Sequence, residues 1–582
     1  MKLRHASIGL LLLACLLISG PGAGIRAATL QAPLTLSPQT STSELPPQDP
    51  LISFDKYHSV GEIEAYLGAI TSRYSHLATL LEIGKSRAGR RILAVEINNP
   101  DTGPADEKAG FYVDGNIHGG EVLGGEGALY FIDALLSRYG DDPDITSLID
   151  SRAFYVVPIV NPDGRAISVD TPENHRWNIR PVDEDGDGLV DEDPPEDLDG
   201  DGRILQMRAP DPDGRWKISA EDSRRMIRRG RGESGGTSYR LLTEGIDNDG
   251  DGRFNEDRLG GVDLNRNFPA NWSAAQFASG PYPLSEPETH ALVEYITSRP
   301  NIAAIHTFHT SGGLLLRFPT LADQDWDFPQ SDLEDYRDIA EDGAAITGYA
   351  NYAYEKKTIV DLMSPGHGVF NDWGSKEFGV LAMTTEMWAH AFGEDQEALF
   401  AWNDEVLGGR GFVDWYPFDH PALGRVELGG WDRWSLVSPP EEMIAAELER
   451  NFRWVLTFAQ KLPRVEILSA TASAVASDSG LVEIRATAAN TGWMPTATAQ
   501  ASEVLKIAQP VRVRLSLVNA EIVDGQPQRS LGVLPGARQQ GPSERELAWR
   551  VRVVDAAKAA SAEIIVTSEK AGTARKRIEL GS

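Results

Sequence analysis

The sequence predicts an α/β domain, a sheet covered by helices on both faces, followed by an all-β sandwich. Short and almost wholly apolar runs at 152–160 (RAFYVVPIV), 302–308 (IAAIHTF) and 378–384 (FGVLAMT) read as strands buried on both faces. Helical periodicity over 123–138 and 288–298 places amphipathic helices between some of them, the arrangement that covers such a sheet. Beyond residue 463 the pattern changes to Val-, Ile- and Thr-rich runs separated by turn formers, with few helix signals.

Taken in order, residues 1–27 have a basic start (Met1 to His5), an apolar run (Ala6 to Ile18) and small residues near Ala27, which reads as a secretory signal peptide. The run is too short to span a bilayer, and no later stretch is long and apolar enough, so no transmembrane segment is expected. Cleavage removes Lys2, Arg4 and Arg26 but no acid and takes the net charge from -31 to -34. Such a chain repels nucleic-acid phosphates and anionic lipid surfaces, which excludes nucleic acid as an expected partner. The only cysteine, Cys15, lies in the leader, so the exported chain has no disulfide. Secretion or a periplasmic location is expected. Leu12 to Cys15 also resembles a bacterial lipoprotein cleavage box, which makes lipid anchoring through Cys15 the alternative.

Residues 28–50, rich in Pro, Ser, Thr and Gln, form a flexible lead. The α/β domain is assigned to 51–462, with a helix over 59–74 and a strand at 91–97 (RILAVEI) near its start. At its end a helix over 441–460 is predicted. Ser438 and Glu441 suit a capping box, Pro439 and Pro440 suit the first turn, and Ile444, Leu448, Phe452, Val455 and Ala459 form the inward stripe. Pro463 stops it. Runs at 481–488, 511–518, 547–554 and 562–568 supply strands for the sandwich at 463–582, which carries no nucleophile or metal cluster and is read as accessory.

The chemistry starts at residues 111–131, FYVDGNIHGGEVLGGEGALYF, where a buried strand breaks at glycines and delivers His118 and Glu121 before a helix. A hydrolytic zinc ion takes about three protein ligands, typically His and carboxylate, and keeps one position open. These two side chains, three apart, can converge on one ion if a third ligand comes from elsewhere. Taken alone they fit an ordinary polar turn as well. Four further stretches follow: NPDG at 161–164, GVDLNRNF at 261–268, HTSGGLLLRFP at 309–319 and FGVLAMTTEMW at 378–388. Together, and in this order over residues 50–400, they resemble the zinc carboxypeptidase family, the metallocarboxypeptidases related to pancreatic carboxypeptidase A.

The resemblance implies a zinc carboxypeptidase-like mixed sheet flanked by helices, with His118, Glu121 and His309 as zinc ligands. His306, the rival in HTFH, lies off the ligand face by strand alternation and is expected to pack. Glu386 aligns with the catalytic glutamate; it follows the apolar run VLAM, where an idle carboxylate would be costly to bury. Arg180 falls at the oxyanion-stabilising position, with Arg176 as competitor because Trp177 stands where the family has a second arginine. Asn265 and Arg266 match the pair that grips the terminal carboxylate of a substrate, and Asn371 the floor of the specificity pocket. A neutral amide there resembles neither the acidic nor the apolar floors of the family. Nine residues before Trp373, where the family has a mobile tyrosine, stands Ser364; Tyr354 or His367 compete for that space, and no tyrosine is assigned. The implied function is a secreted zinc metallocarboxypeptidase that removes C-terminal residues from peptides and proteins through zinc-activated water, with a glutamate as general base. Its alternatives are a zinc amidase or peptidase acting on cell-wall peptides and a noncatalytic calcium- or glycan-binding protein on the same scaffold.

An acidic insertion occupies 181–260. Residues 183–202 hold 11 acids and no base. Asp183, Asp185, Asp187 and Asp191 stand at one, three, five and nine of an EF-hand-like loop with Gly188 at the turn; the glutamate expected at twelve is Pro194. A near repeat holds Asp247, Asp249, Asp251, Asn255, Glu256 and Asp257, and a shorter one Asp197, Asp199 and Asp201. Calcium is therefore expected as a second cofactor.

Overall fold

Ser59 accepts a hydrogen bond from the Glu62 amide while the Glu62 side chain accepts from the Ser59 amide, and this capping box starts the helix Val60–Arg73. The computed structural model in which this is seen describes residues 51–183, 186–317, 329–351, 366–388, 396–475, 480–538 and 543–581. The expected leader and lead, Cys15, Asp185, Tyr354 and Ser364 lie outside the described residues.

The predicted apolar runs are strands of one eight-stranded sheet, in the order Ala78–Lys85, Arg91–Ile97, Arg152–Val157, Ala109–Gly115, Ile302–Thr310, Leu381–Met387, Leu314–Arg317, Ala350–Asn351. Four central strands, Arg152–Val157 to Leu381–Met387, run parallel, and the outer pairings are mostly antiparallel. This is the mixed sheet that the sequence implies. Apolar residues on one face pack with the helices Val60–Arg73, Val122–Arg138, Gln330–Thr347 and Glu441–Gln460; those on the other pack with Pro287–Thr297 and Phe370–Trp373. The inward stripe Ile444, Leu448, Phe452, Val455 and Ala459 is buried as expected. Its expected cap is not formed: two consecutive prolines delay the first helical residue to Glu441, Pro440 is the N-cap, and Ser438 is left too far back to bond the first-turn amides.

The insertion is more than a loop. It supplies strands Gln206–Pro210, Trp216–Ile218, Met226–Arg228 and Tyr239–Thr243 to a six-stranded sheet completed by the hairpin Phe412–His420 and Gly424–Trp431. Short, charged strands with little alternation hid this from the sequence. The C-terminal region forms two four-stranded sheets that share one apolar core and include all four predicted runs. It docks on the α/β region through Asp332, whose carboxylate accepts from the Gln500 and Ala501 amides at 2.7 and 2.9 Å, and through Arg538 against Glu334, Asp335 and Asp338. Among the described residues no helix is long and apolar enough to cross a membrane.

Candidate metal centre

The chain turns from Ala109–Gly115 to Arg152–Val157 on one side of the sheet and to Ile302–Thr310 on the other. The strand order reverses between these neighbours, and at the carboxyl ends of strands flanking such a reversal a crevice opens for ligands. The loop after Gly115 brings His118 and Glu121 there, His309 ends the adjacent strand, and Glu386 lies directly across from His309 on the next. His118 Nδ1 is 2.6 Å from Glu121 Oε1 and His309 Nδ1 is 2.8 Å from Glu121 Oε2. Ligand atoms of the three residues all lie within 4.8 Å of one another, and the three side chains are buried.

Two imidazole nitrogens and a carboxylate at this spacing suit zinc. The other ring nitrogen of His118 faces Asp263 Oδ1 at 3.1 Å, the carboxylate support that fixes tautomer and orientation in zinc-binding histidines. Burial raises the Glu121 carboxyl, but His118 and His309 outweigh it and hold the group well below the usual carboxylate range, so it stays ionised, as a metal ligand must be. Glu386 differs. Burial, with Glu121 adding to it against the pull of His309, Arg176 and Arg266, lifts its carboxyl to about 7. His306 points to the opposite face, against Phe308, Trp454 and Phe458, and burial drives its pKa down to about 3. It is a packed residue, as strand alternation predicts.

The placement expected for Arg180 is not found. Its Nε donates to Glu286 Oε1 at 2.8 Å and its Nη2 reaches the Ser285 carbonyl. Glu286 is fully buried and also draws on Arg87, Asn178 and Ser285; an anion so enclosed needs every cation within reach. The competitor, Arg176, stands at the metal cluster instead: its Nη1 donates to Glu121 Oε1 at 3.0 Å, its Nε to Asp263 Oδ2 at 3.1 Å, and its Nη2 lies 2.8 Å from His118 Nε2. Asp263 thus joins His118 to Arg176. From sequence alone Asp263 is assigned no role; its place two residues before Asn265 in GVDLNRNF was the available signal.

Asn265 and Arg266 sit in the turn after Asp263, with Asn265 Oδ1 accepting from the Phe370 amide at 2.8 Å. Arg266 Nη1 donates to the Asn265 carbonyl, and among the described residues no carboxylate lies within ion-pair distance of its guanidinium. Asn371 is buried and its amide bonds Thr384, two residues before Glu386 on the same strand face. His367 Nδ1 is 2.7 Å from the Asn271 carbonyl.

A family model, zinc carboxypeptidase, matches residues 63–399, and the chain belongs to that family. A second, a domain of unknown function (DUF8731), matches residues 464–579. Carboxypeptidase M of Mus musculus is 38% identical over 112 residues, 19% of this chain and 25% of the relative. Carboxypeptidase D of Anas platyrhynchos is 33% identical over 144 residues, 24% of this chain and 10% of the relative. The chain thus spans about a quarter or less of the length of these curated relatives. Among solved structures, bovine thrombin-activatable fibrinolysis inhibitor is similar with a TM-score of 0.42 and 15% identity over 70% of this chain and 97% of the other. This zinc-carboxypeptidase family member therefore carries a His-Glu-His metal-binding triad.

Proposed function

We propose that the chain is an exported zinc metallocarboxypeptidase acting on the C-termini of peptides or proteins. The observation that carries this reading is the convergence of His118, Glu121 and His309 with a buried glutamate, Glu386, and with Arg266, a cation that has no carboxylate partner among the described residues. Zinc held by the triad would supply a Lewis acid that polarises the scissile carbonyl and activates water. Glu386, with a pKa near 7, takes a proton from the attacking water and returns it to the leaving amine. Arg266 forms a bidentate pair with the substrate's terminal carboxylate, and Asn265 donates to it from the same turn. Arg176, rather than Arg180, is the guanidinium proposed to hold charge that develops on the carbonyl oxygen, a reading supported by its donation to Glu121 Oε1 beside the triad. Asn371 lines the pocket for the terminal side chain. Export follows from the leader-like residues 1–27.

Calcium in the insertion is part of the proposal. Three loops share one wiring: Asp183 accepts from the Gly186 and Gly188 amides, Asp197 from Gly200 and Gly202, and Asp247 from Gly250 and Gly252. Asp247, Asp249 and Asp251 can share an ion, as can Asp187, Glu192 and Asp249, drawn from two loops. Glu192 and Glu256 supply the long carboxylates that Pro194 does not. Asp191 leaves its expected position, accepting from the Gly260 amide at 2.9 Å and tying the loops to the stretch that leads to Asp263.

The test is zinc content together with the products formed from a mixed peptide library, read by mass spectrometry for the parent chain and Glu386→Gln. Stepwise loss of single C-terminal residues by the parent, with zinc retained but turnover lost in the variant, is expected. Internal cuts, or zinc without any cutting, would refute the carboxypeptidase reading.

A further inference from the structure

The loop that carries His118 and Glu121 is held by side chains other than the ligands. Asn116, fully buried and at φ 57, donates from Nδ2 to the carbonyls of His118 at 2.7 Å and Gly119 at 3.0 Å and reaches that of Glu121 at 3.4 Å. One amide therefore satisfies the backbone of both ligand residues in this loop. Its Oδ1 accepts from Arg165 Nη1 at 3.0 Å, and the same nitrogen donates to the Val122 carbonyl at 3.0 Å, where the next helix begins. Arg165 is fully buried in turn. Its remaining nitrogens donate to the His58 carbonyl and to Glu126, whose carboxylate also accepts from the His58 amide and faces the His58 ring.

On the other side the loop has no room to yield. A Cβ on Gly119 would stand 2.3 Å from the Gly164 carbonyl carbon, and the Gly119 amide donates to the Arg176 carbonyl at 3.0 Å. The loop is therefore fixed between the helix Pro162–Asp170 and the Asn116 amide. From this geometry we propose that Asn116, oriented by Arg165, is the positioning residue that sets the separation of His118 and Glu121 for a metal ion. The inference rests on the metal reading of the triad. Buried ion networks do little for net stability compared with apolar packing, so the expected output of this one is geometric.

The experiment compares zinc retention in the full chain, by dialysis against graded nitrilotriacetate, for the parent, Asn116→Gly, Asn116→Asp and Arg165→Lys. Gly and Asp both tolerate the left-handed backbone, so neither substitution adds strain at φ 57. Aspartate still accepts from Arg165 but cannot donate to the three carbonyls. Both Asn116 variants should lose about 10- to 100-fold in zinc affinity, the scale for outer partners of metal ligands. Arg165→Lys keeps a cation opposite Glu126 and should lose less. Asn490→Ala serves as the control: Asn490 donates to the Met494 and Pro535 carbonyls in the C-terminal region, so its loss should lower the unfolding midpoint with zinc affinity unchanged. Parent-like zinc affinity in Asn116→Asp, or a loss shared equally by Asn490→Ala, would overturn the proposal. A parent chain that holds no zinc would instead overturn the metal reading on which it stands.

Discussion

Two carboxylate clusters in this chain solve the same electrostatic problem in opposite ways. At the metal centre, acids are matched by protein cations and histidines: Asp263 and Glu121 lie well below the usual carboxylate range because Arg176, His118 and His309 outweigh the burial that raises them. In the insertion, acids face acids. Desolvation and the neighbouring Asp193 raise Glu256 to about 8, and desolvation with Asp257 raises Glu192 to about 7. The first cluster is organised by protein cations; the second sets carboxylate beside carboxylate, a repulsion that a bound cation would relieve. The same residue types thus give a carboxylate set balanced by protein cations in one place and, on the proposed calcium reading, a set that a bound ion would balance in the other.

The sharpest way to break the comparison is to disable the organised cluster. Glu386→Gln should reduce turnover by about 10²- to 10⁴-fold while zinc content stays at the parent value, measured by peptide hydrolysis and metal analysis. His309→Ala should remove both zinc and activity, whereas His306→Ala should lower only the unfolding midpoint. Next in size, Arg176→Ala should cost about 10²- to 10³-fold in kcat by removing charge stabilisation. Arg180→Ala should act chiefly on thermal stability through Glu286, and equal kinetic losses in the two would refute the reassignment.

The pH profile sharpens the same contrast. As the proposed general base Glu386 would work in its ionised form, so kcat/KM should fall by about tenfold per unit on the acid side. Burial places the group at about 7, and a bound cation draws it lower, so the limb should lie at or below that value.

For the insertion the sign is reversed. Glu192 and Glu256 have folded-state pKa values raised from 4.5 to about 7 and about 8, so the calcium-free fold holds their protons more tightly than the unfolded chain does. The contribution of these two groups to stability without calcium is therefore full below pH 4.5 and is lost as pH rises through these values. Calcium at about 100 times its Kd should restore about 2.7 kcal/mol near neutral pH, seen as a rise in Tm. Binding should also release protons in weakly buffered solution at pH 7, and Asp247→Asn should abolish most of both effects. A Tm indifferent to calcium would leave the insertion without the proposed cofactor.

Much of this was legible in the sequence, for identifiable reasons. Parallel strands buried on both faces announce themselves as apolar runs, which is why 152–160, 302–308 and 378–384 found their places, and why the stripe of the helix Glu441–Gln460 was readable residue by residue. The triad His118, Glu121 and His309 was legible through the family resemblance of the ordered motifs, because the glycine-rich turn alone fits an ordinary polar turn as well. Arg180 was misplaced because a long side chain two to four residues from a landmark can turn either way, and the deciding partner, Glu286, is 106 residues distant. The strands Gln206–Pro210 and Tyr239–Thr243 escaped because they are only five residues long, and their mixed polar and apolar residues lack the periodic signal of longer buried strands. The bracing of the metal loop by Asn116 and Arg165 joins residues 49 apart and has no local signature.

On the proposed function the organised cluster cuts at a free C-terminus. The most direct measurement pairs one peptide with its C-terminally amidated twin and follows both by mass spectrometry with the zinc-loaded chain. Release of single residues from the free acid, with the amidated twin spared, is the expected result, because Arg266 has a carboxylate to grip in only one of them. Equal cleavage of both, or cuts within the peptide, would contradict it.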